Sequence, residues 1–166
     1  PFDGREHLSQ GVLRTPLSPE IAFSEDPLRM LRAARFVSRY QLVPDQEVEE
    51  AISDMASRLS IVSKERVNDE MTKFLMVDKP SAGVSLLQRT GLVRQIFSIS
   101  ADFRLVQPEA LDLVPRHLGI RWAALLWPVV QEASQIRTVL NQLKVPKTIT
   151  SQVVEILGAT QCMAQA

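Results

Sequence analysis

The sequence predicts an all-α protein, a multi-helix array, and three observations carry that reading. Apolar residues recur at helical spacing, as in Val48, Ala51, Ile52, Met55 and Leu59. Proline and glycine fall between such stretches, at Val43-Pro44-Asp45, Asp78-Lys79-Pro80, Gly91 and Val145-Pro146, where turns belong. No apolar/polar alternation runs long enough to make a strand.

After an irregular lead to Ala22, helices are expected near residues 25–41, 46–59, 64–76, 80–90, 109–117, 120–142 and 148–161. Ser24 is the expected N-cap of the first, with Glu25 and Asp26 in its opening turn and Pro27 early enough to cost no hydrogen bond. Met30, Ala33, Ala34, Val37 and Tyr40 form its apolar stripe, while Arg32, Arg35 and Arg39 gather within roughly 60° of one another on another face. Ser63 caps the 64–76 helix with Glu65 in the first turn, and Glu70 and Lys73 read as a surface pair worth about 0.3 kcal/mol. At the far end, Ile136, Val139, Leu140 and Leu143, then Ile149, Val153, Val154 and Leu157, make two amphipathic helices joined by Lys144-Val145-Pro146-Lys147.

Composition narrows the possible functions. The 166 residues are 45% apolar, enough for a core in one domain or two small helical units. Lys and Arg number 19 and so do Asp and Glu, so any attraction to RNA must come from local clusters rather than a global field. The single cysteine, Cys162, reads as a structural thiol, and no run of about eighteen apolar residues suggests a membrane span. A reducing cytoplasm is the simplest location to infer. His7 and His117 lack ligand spacing and suit surface or capping roles.

The stretch Ser24-Glu25-Asp26-Pro27-Leu28-Arg29 is the richest in chemistry. On a helix Asp26 and Arg29 are i, i+3 neighbours, a group that only accepts beside a fork that only donates. Such a pair suits the polar edge of cytosine or adenine: the exocyclic amine donates to the carboxylate, and a ring nitrogen or carbonyl accepts from the guanidinium. The same residues also suit a solvated, salt-bridged helix start, and spacing alone does not choose.

Glu25-Asp26-Pro27-Leu28-Arg29 followed by Leu31-Arg32-Ala33-Ala34-Arg35-Phe36 closely resembles the start of the neck in bacterial class II tRNA nucleotidyltransferases, the CCA-adding enzymes and their poly(A) polymerase relatives. Pro1-Phe2-Asp3-Gly4, Leu8 and Gly11-Val12-Leu13-Arg14-Thr15 resemble the family's head-to-neck loop, although Asp3 and His7 stand where the family usually has Gly and Asp. Val62-Ser63-Lys64-Glu65-Arg66-Val67 with Glu70, Lys73 and Leu75 resembles the next neck motif, and Ala82, Leu86-Leu87 and Thr90-Gly91-Leu92 the segment after it.

The resemblance implies a neck and body array: residues 1–24 ending the connection from the head, 25–97 the nucleotide-selecting neck, and 98–166 a body or tail. Asp26 and Arg29 would then form Watson–Crick-like bonds with incoming CTP or ATP. Glu25, Arg32 and Arg35 would shape the pocket or approach phosphates, while Ser63, Glu65, Arg66 and Glu70 brace the base-reading helix. A tRNA or other RNA 3′ end would be the partner, with Lys144 and Lys147 as candidate phosphate contacts. The family's magnesium is held by a Gly-Ser and an Asp-x-Asp of the head, and no Asp-x-Asp occurs in this chain. The resemblance therefore implies a missing catalytic head domain and no transferase activity in this chain alone.

Arg121-Trp122-Ala123-Ala124-Leu125-Leu126-Trp127-Pro128 looks like a remnant of a metal-dependent phosphohydrolase segment. Trp127 and Pro128 stand at its metal-ligand positions, and neither side chain can bind a metal. Trp122 and Trp127 suit a densely apolar core more than base stacking. A second functional class stays open, a noncatalytic helical module for RNA or protein binding that keeps the neck's wording.

Overall fold

Helices make up nearly every element of the computed structural model, which describes residues 10–98, 107–128 and 133–164. In chain order these are β1 (Val12–Leu13), α1 (Pro19–Glu25), α2 (Leu28–Tyr40), β2 (Val43–Pro44), α3 (Gln46–Met55) and a 3-10 helix (Ala56–Ile61). There follow α4 (Lys64–Leu75), α5 (Ser81–Arg89), α6 (Leu92–Phe97), α7 (Pro108–Asp112), α8 (Leu118–Leu126), α9 (Ala133–Gln142) and α10 (Lys147–Ala164). Among the described residues, no helix is long and apolar enough to cross a membrane.

The expected helix at 25–41 is two helices. Pro27 disfavours helical backbone in the residue before it, and Asp26 is extended, with φ −146° and ψ 99°. Ser24 is therefore not an N-cap but part of α1, whose own cap is Ser18. Asp26 takes over the capping role at the corner, its Oδ1 accepting from the Leu28 N–H at 3.2 Å.

Helix α2 is the central element, packed between α4 and α5. Met30, Leu31, Ala33, Ala34 and Val37 are buried as the apolar stripe requires, but Tyr40 is 54% exposed at the helix end. The contact with α5 is close because Gly83 has no Cβ. One built there would lie 2.4 Å from the Ala34 carbonyl oxygen and 2.5 Å from Ser38 Oγ. Ser38 secures the same spot, donating to the Pro80 carbonyl at 3.0 Å and accepting from the Gly83 N–H at 2.8 Å.

Other departures have local causes. The 46–59 helix tightens into the 3-10 segment after Met55, and Gly91, with φ 73°, starts the unexpected α6. The helix expected at 109–117 stops at Asp112, whose carboxylate instead accepts from the Ser81 N–H at 3.0 Å and the Ser81 hydroxyl at 2.7 Å. The one expected at 120–142 comprises α8, which ends before Trp127-Pro128, and α9. Two-residue strands β1 and β2 pair in parallel, with Val43 N–H donating to the Gly11 carbonyl at 2.8 Å and Asp45 N–H to Leu13 at 3.1 Å. They are too short to leave an alternation pattern.

The second half folds on α10, which packs against α8 and α9, while α8 also meets α4. Trp122 is fully buried, edge-on to Phe97 with ring centroids 6.2 Å apart, whereas Trp127 is 42% exposed and departs from the expected core. His117 caps α8, its Nδ1 accepting from Ile120 N–H at 3.4 Å. The side chain of Cys162, together with His7 and Val129, lies outside the described residues.

Candidate functional site

Arg29, Arg32 and Arg35 recur every three residues along α2 and so line one cleft of about 440 Å³. Phe23, Ala33, Phe36 and Val48 give it apolar walls, and Leu13 to Pro16 border it from the strap that follows β1. A volume of a few hundred Å³ with apolar walls and a few convergent polar groups suits a small ligand. Arg14 closes onto Asp45 at 2.5 Å beside the strap. Desolvation pushes the Asp45 carboxyl up, but Arg14 and the backbone N–H groups of Glu47 and Gln46 outweigh it and hold the group below the usual aspartate value.

The guanidinium groups are fixed individually. Arg29 Nη1 donates to Glu25 Oε2 at 2.9 Å and to the Ala22 carbonyl at 3.3 Å. Arg35 Nε donates to Glu70 Oε1 at 2.5 Å, and Arg32 Nε lies 3.8 Å from the other oxygen of the same carboxylate. Glu70 is only 3% exposed, so the expected surface pair with Lys73 gives way to a buried ion pair from α4 to α2. Helical spacing on α4 cannot reveal this pair, because the partners lie 35 residues apart.

Asp26 stands at the α1–α2 corner and does not line the cleft. Both its oxygens accept from Arg66 Nη2, at 3.1 and 3.2 Å. Asp26 and Arg29 thus come within one turn of each other, yet each is held by a different neighbour. Ser63 caps α4 as expected, its Oγ accepting from the Arg66 N–H at 3.4 Å, while Glu65 is exposed.

Sequence reasoning missed Arg121. It is buried and its guanidinium donates to the carbonyls of Leu75, Val77, Asp78 and Val114, tying α8 to the turn after α4. Burial, with Arg116 nearby, holds its proton affinity below the usual arginine value. Nothing in its local sequence marks it, because its acceptors are backbone groups. Lys144 and Lys147 are exposed at the turn between α9 and α10, and the Lys144 carbonyl accepts from Asn68 Nδ2 at 3.4 Å.

Among the described residues, no group of three or more His, Cys, Asp or Glu side chains converges as a metal site requires. The carboxylates here do not fit the magnesium site that the resemblance implies for a complete enzyme.

Comparison with known proteins places this geometry in a family. A family model described as "Probable RNA and SrmB- binding site of polymerase A" matches residues 42–103. The CCA-adding enzyme of Lactiplantibacillus plantarum is 31% identical over 166 residues, a match covering 98% of this chain and 40% of that protein. The CC-adding tRNA nucleotidyltransferase of Halalkalibacterium halodurans is 32% identical over 161 residues, covering 97% of this chain and 42% of that protein. The crystal structure of the Bacillus stearothermophilus CCA-adding enzyme in complex with CTP superposes with a TM-score of 0.82 at 31% identity, over 96% of this chain and 40% of that one.

The fold and the sequence together define a nucleotidyltransferase-type helical array. The chain belongs to the class II CCA-adding enzyme family, and it spans about two fifths of the length of the relatives it matches.

Proposed function

We propose that the chain is the nucleotide-selecting neck and RNA-supporting body of a template-independent RNA nucleotidyltransferase, serving the addition of CCA or A to a tRNA 3′ end. The observation carrying this reading is the alignment of Arg29, Arg32 and Arg35 along one cleft, with Asp26 at the helix corner one turn before Arg29.

In this reading the Asp26 carboxylate accepts from the exocyclic amine of cytosine or adenine, and Arg29 donates to the adjacent ring nitrogen or carbonyl. A carboxylate has about four lone-pair sites, so Arg66 can hold Asp26 in place while the base takes another. Glu25 plays the same positioning part for Arg29. Arg32 and Arg35, steadied by Glu70, face the phosphates, and Lys144 and Lys147 contact the RNA backbone. The carboxylates that hold magnesium belong to a catalytic head domain, so phosphoryl transfer is assigned there and selection here. ATP and CTP are the substrates, and the cytoplasm is the proposed site of action.

Titration calorimetry with CTP and ATP tests the assignment. Binding lost in both Asp26→Ala and Arg29→Ala supports it, and binding indifferent to both changes overturns it.

A further inference from the structure

Lys64 and Ser98 bring an amine and a hydroxyl together at a junction that the nucleotide cleft does not use. Lys64 opens α4 directly after its cap Ser63, and Ser98 closes α6. Lys64 Nζ reaches the last turn of α6, lying 3.3 Å from the carbonyl oxygens of both Gln95 and Ile96 and 3.1 Å from Ser98 Oγ. As an ammonium it donates to all three. As a neutral amine it keeps two N–H donors for the two carbonyls, and its lone pair is left for the serine proton. The hydroxyls of Ser38, Ser53 and Ser60, by contrast, donate to backbone carbonyls, which are too weakly basic to take a proton.

The surroundings favour the neutral amine and a reachable hydroxyl. Lys64 is half-buried, and desolvation holds its proton affinity below the usual lysine value of 10.5, with no charged side chain adding to the shift or offsetting it. Ser98 is exposed and sits at φ 54° and ψ 44°, the left-handed region that residues with a Cβ rarely adopt. Backbone held in such a region gathers at working sites. The Ser98 N–H is bonded to the Arg94 carbonyl and so is not free to stabilise an oxyanion. With that donor spent, the pair suits a single transfer from an activated donor rather than repeated turnover.

We propose that Ser98 is an acyl-acceptor site, with Lys64 as its base and an activated ester as the acyl donor. Ser98 Oγ adds to the acyl carbon while its proton passes to Lys64 Nζ. The bond from that carbon to the leaving oxygen then breaks, and Nζ returns the proton to the departing group. Ser98 is left as an ester and the donor's leaving group as its free alcohol. The site shares no residue with the nucleotide cleft, so it stands apart from the function proposed above.

The test treats the 166-residue chain with p-nitrophenyl acetate at about pH 9 and locates acetyl groups by peptide mass spectrometry, with circular dichroism confirming each variant's helicity. Acetylation of Ser98 should fall at least about tenfold in Lys64→Met and as far in Lys64→Arg. Arginine keeps the charge and can still donate to the α6 carbonyls, but it does not give up its proton, so it separates a base from a mere cap of α6. An acetyl on Lys64 that vanishes in Ser98→Ala reports onward transfer from the serine and also supports the proposal. Ser98 acetylation unchanged in Lys64→Arg overturns it. So does a chain acetylated at neither residue, or one acetylated at Lys64 to the same extent with and without the serine hydroxyl.

Discussion

Arg35 and Glu70 form an ion pair at 2.5 Å between α2 and α4, with the glutamate almost fully buried and the arginine nearly so. The carboxylate also steadies Arg32, so one group on α4 sets the posture of two cleft arginines on α2. Removing one partner of a buried pair strands the other's charge in a poorly solvated site. Glu70→Ala should therefore destabilise the fold by about 3 kcal/mol, and Glu70→Gln by less, because the amide still accepts from Arg35. Urea midpoints of the three proteins check this; equal midpoints would falsify it.

Asp26 has three separable duties, capping Leu28, holding Arg66 and presenting a carboxylate beside Arg29. Asp26→Asn should cost at most about 1 kcal/mol, since asparagine caps as well as aspartate and the partly exposed Arg66 pair that it weakens is worth about 0–1 kcal/mol. Asn also brings an amide donor where only an acceptor stood, so discrimination of CTP and ATP from UTP and GTP should fall more than overall triphosphate affinity. Calorimetry with the four nucleotides decides it, and equal loss for all four contradicts the assignment.

Gly83→Ala should destabilise by about 2 kcal/mol despite alanine's better helix propensity. The added methyl would meet backbone at Ala34 and the Ser38 hydroxyl that bridges Pro80 and Gly83. A thermal melt reads the result, and an unchanged or higher midpoint would refute the close approach.

Glu49 and Arg89 join α3 to α5 through two bonds, at 2.8 and 3.0 Å. Arg89 holds the Glu49 carboxyl below its ordinary value of 4.5, and Glu49 in turn raises Arg89. Below pH 4.5 the unfolded chain takes up this proton more readily than the folded one. The clamp therefore contributes fully above that pH and is lost as pH falls through the lowered folded value. Because the pair is half exposed, its worth is about 0.2–1 kcal/mol and falls with salt. Denaturation between pH 7 and 3 should show a shallower acid loss in Glu49→Gln, and parallel curves would exclude the clamp.

Arg121→Lys should cost nearly as much stability as Arg121→Met, on the order of 3 kcal/mol, because an ammonium cannot span four carbonyls from separate turns. Full rescue by lysine in a chemical denaturation series would contradict this.

The all-α architecture was legible because amphipathic spacing and proline breaks are local signals, and α3, α4 and α10 lie close to where that spacing placed them. The wording at Glu25 to Phe36 likewise pointed to the family that the relatives define. What the chain alone hid were relationships between distant residues. The Asp26–Arg66 and Arg35–Glu70 contacts and those of Arg121 with the carbonyls of Leu75, Val77 and Asp78 join groups about 35 to 46 residues apart, and backbone acceptors carry no side-chain signature. The split at Asp26 was readable in principle, since Pro27 restricts its predecessor, but the strong N-cap character of Ser24 masked it.

The small parallel bridge between Val12 and Val43 has a mechanical side. A parallel pair loaded along its strands resists in shear, its hydrogen bonds sharing the force rather than opening one by one. A pull on the chain ahead of Gly11 is therefore shared between α1, which leads on to Asp26, and the residues just past Tyr40, at the far end of an α2 locked to its neighbours at Gly83 and Glu70. The bridge thereby diverts part of such a load away from the corner where Asp26 stands.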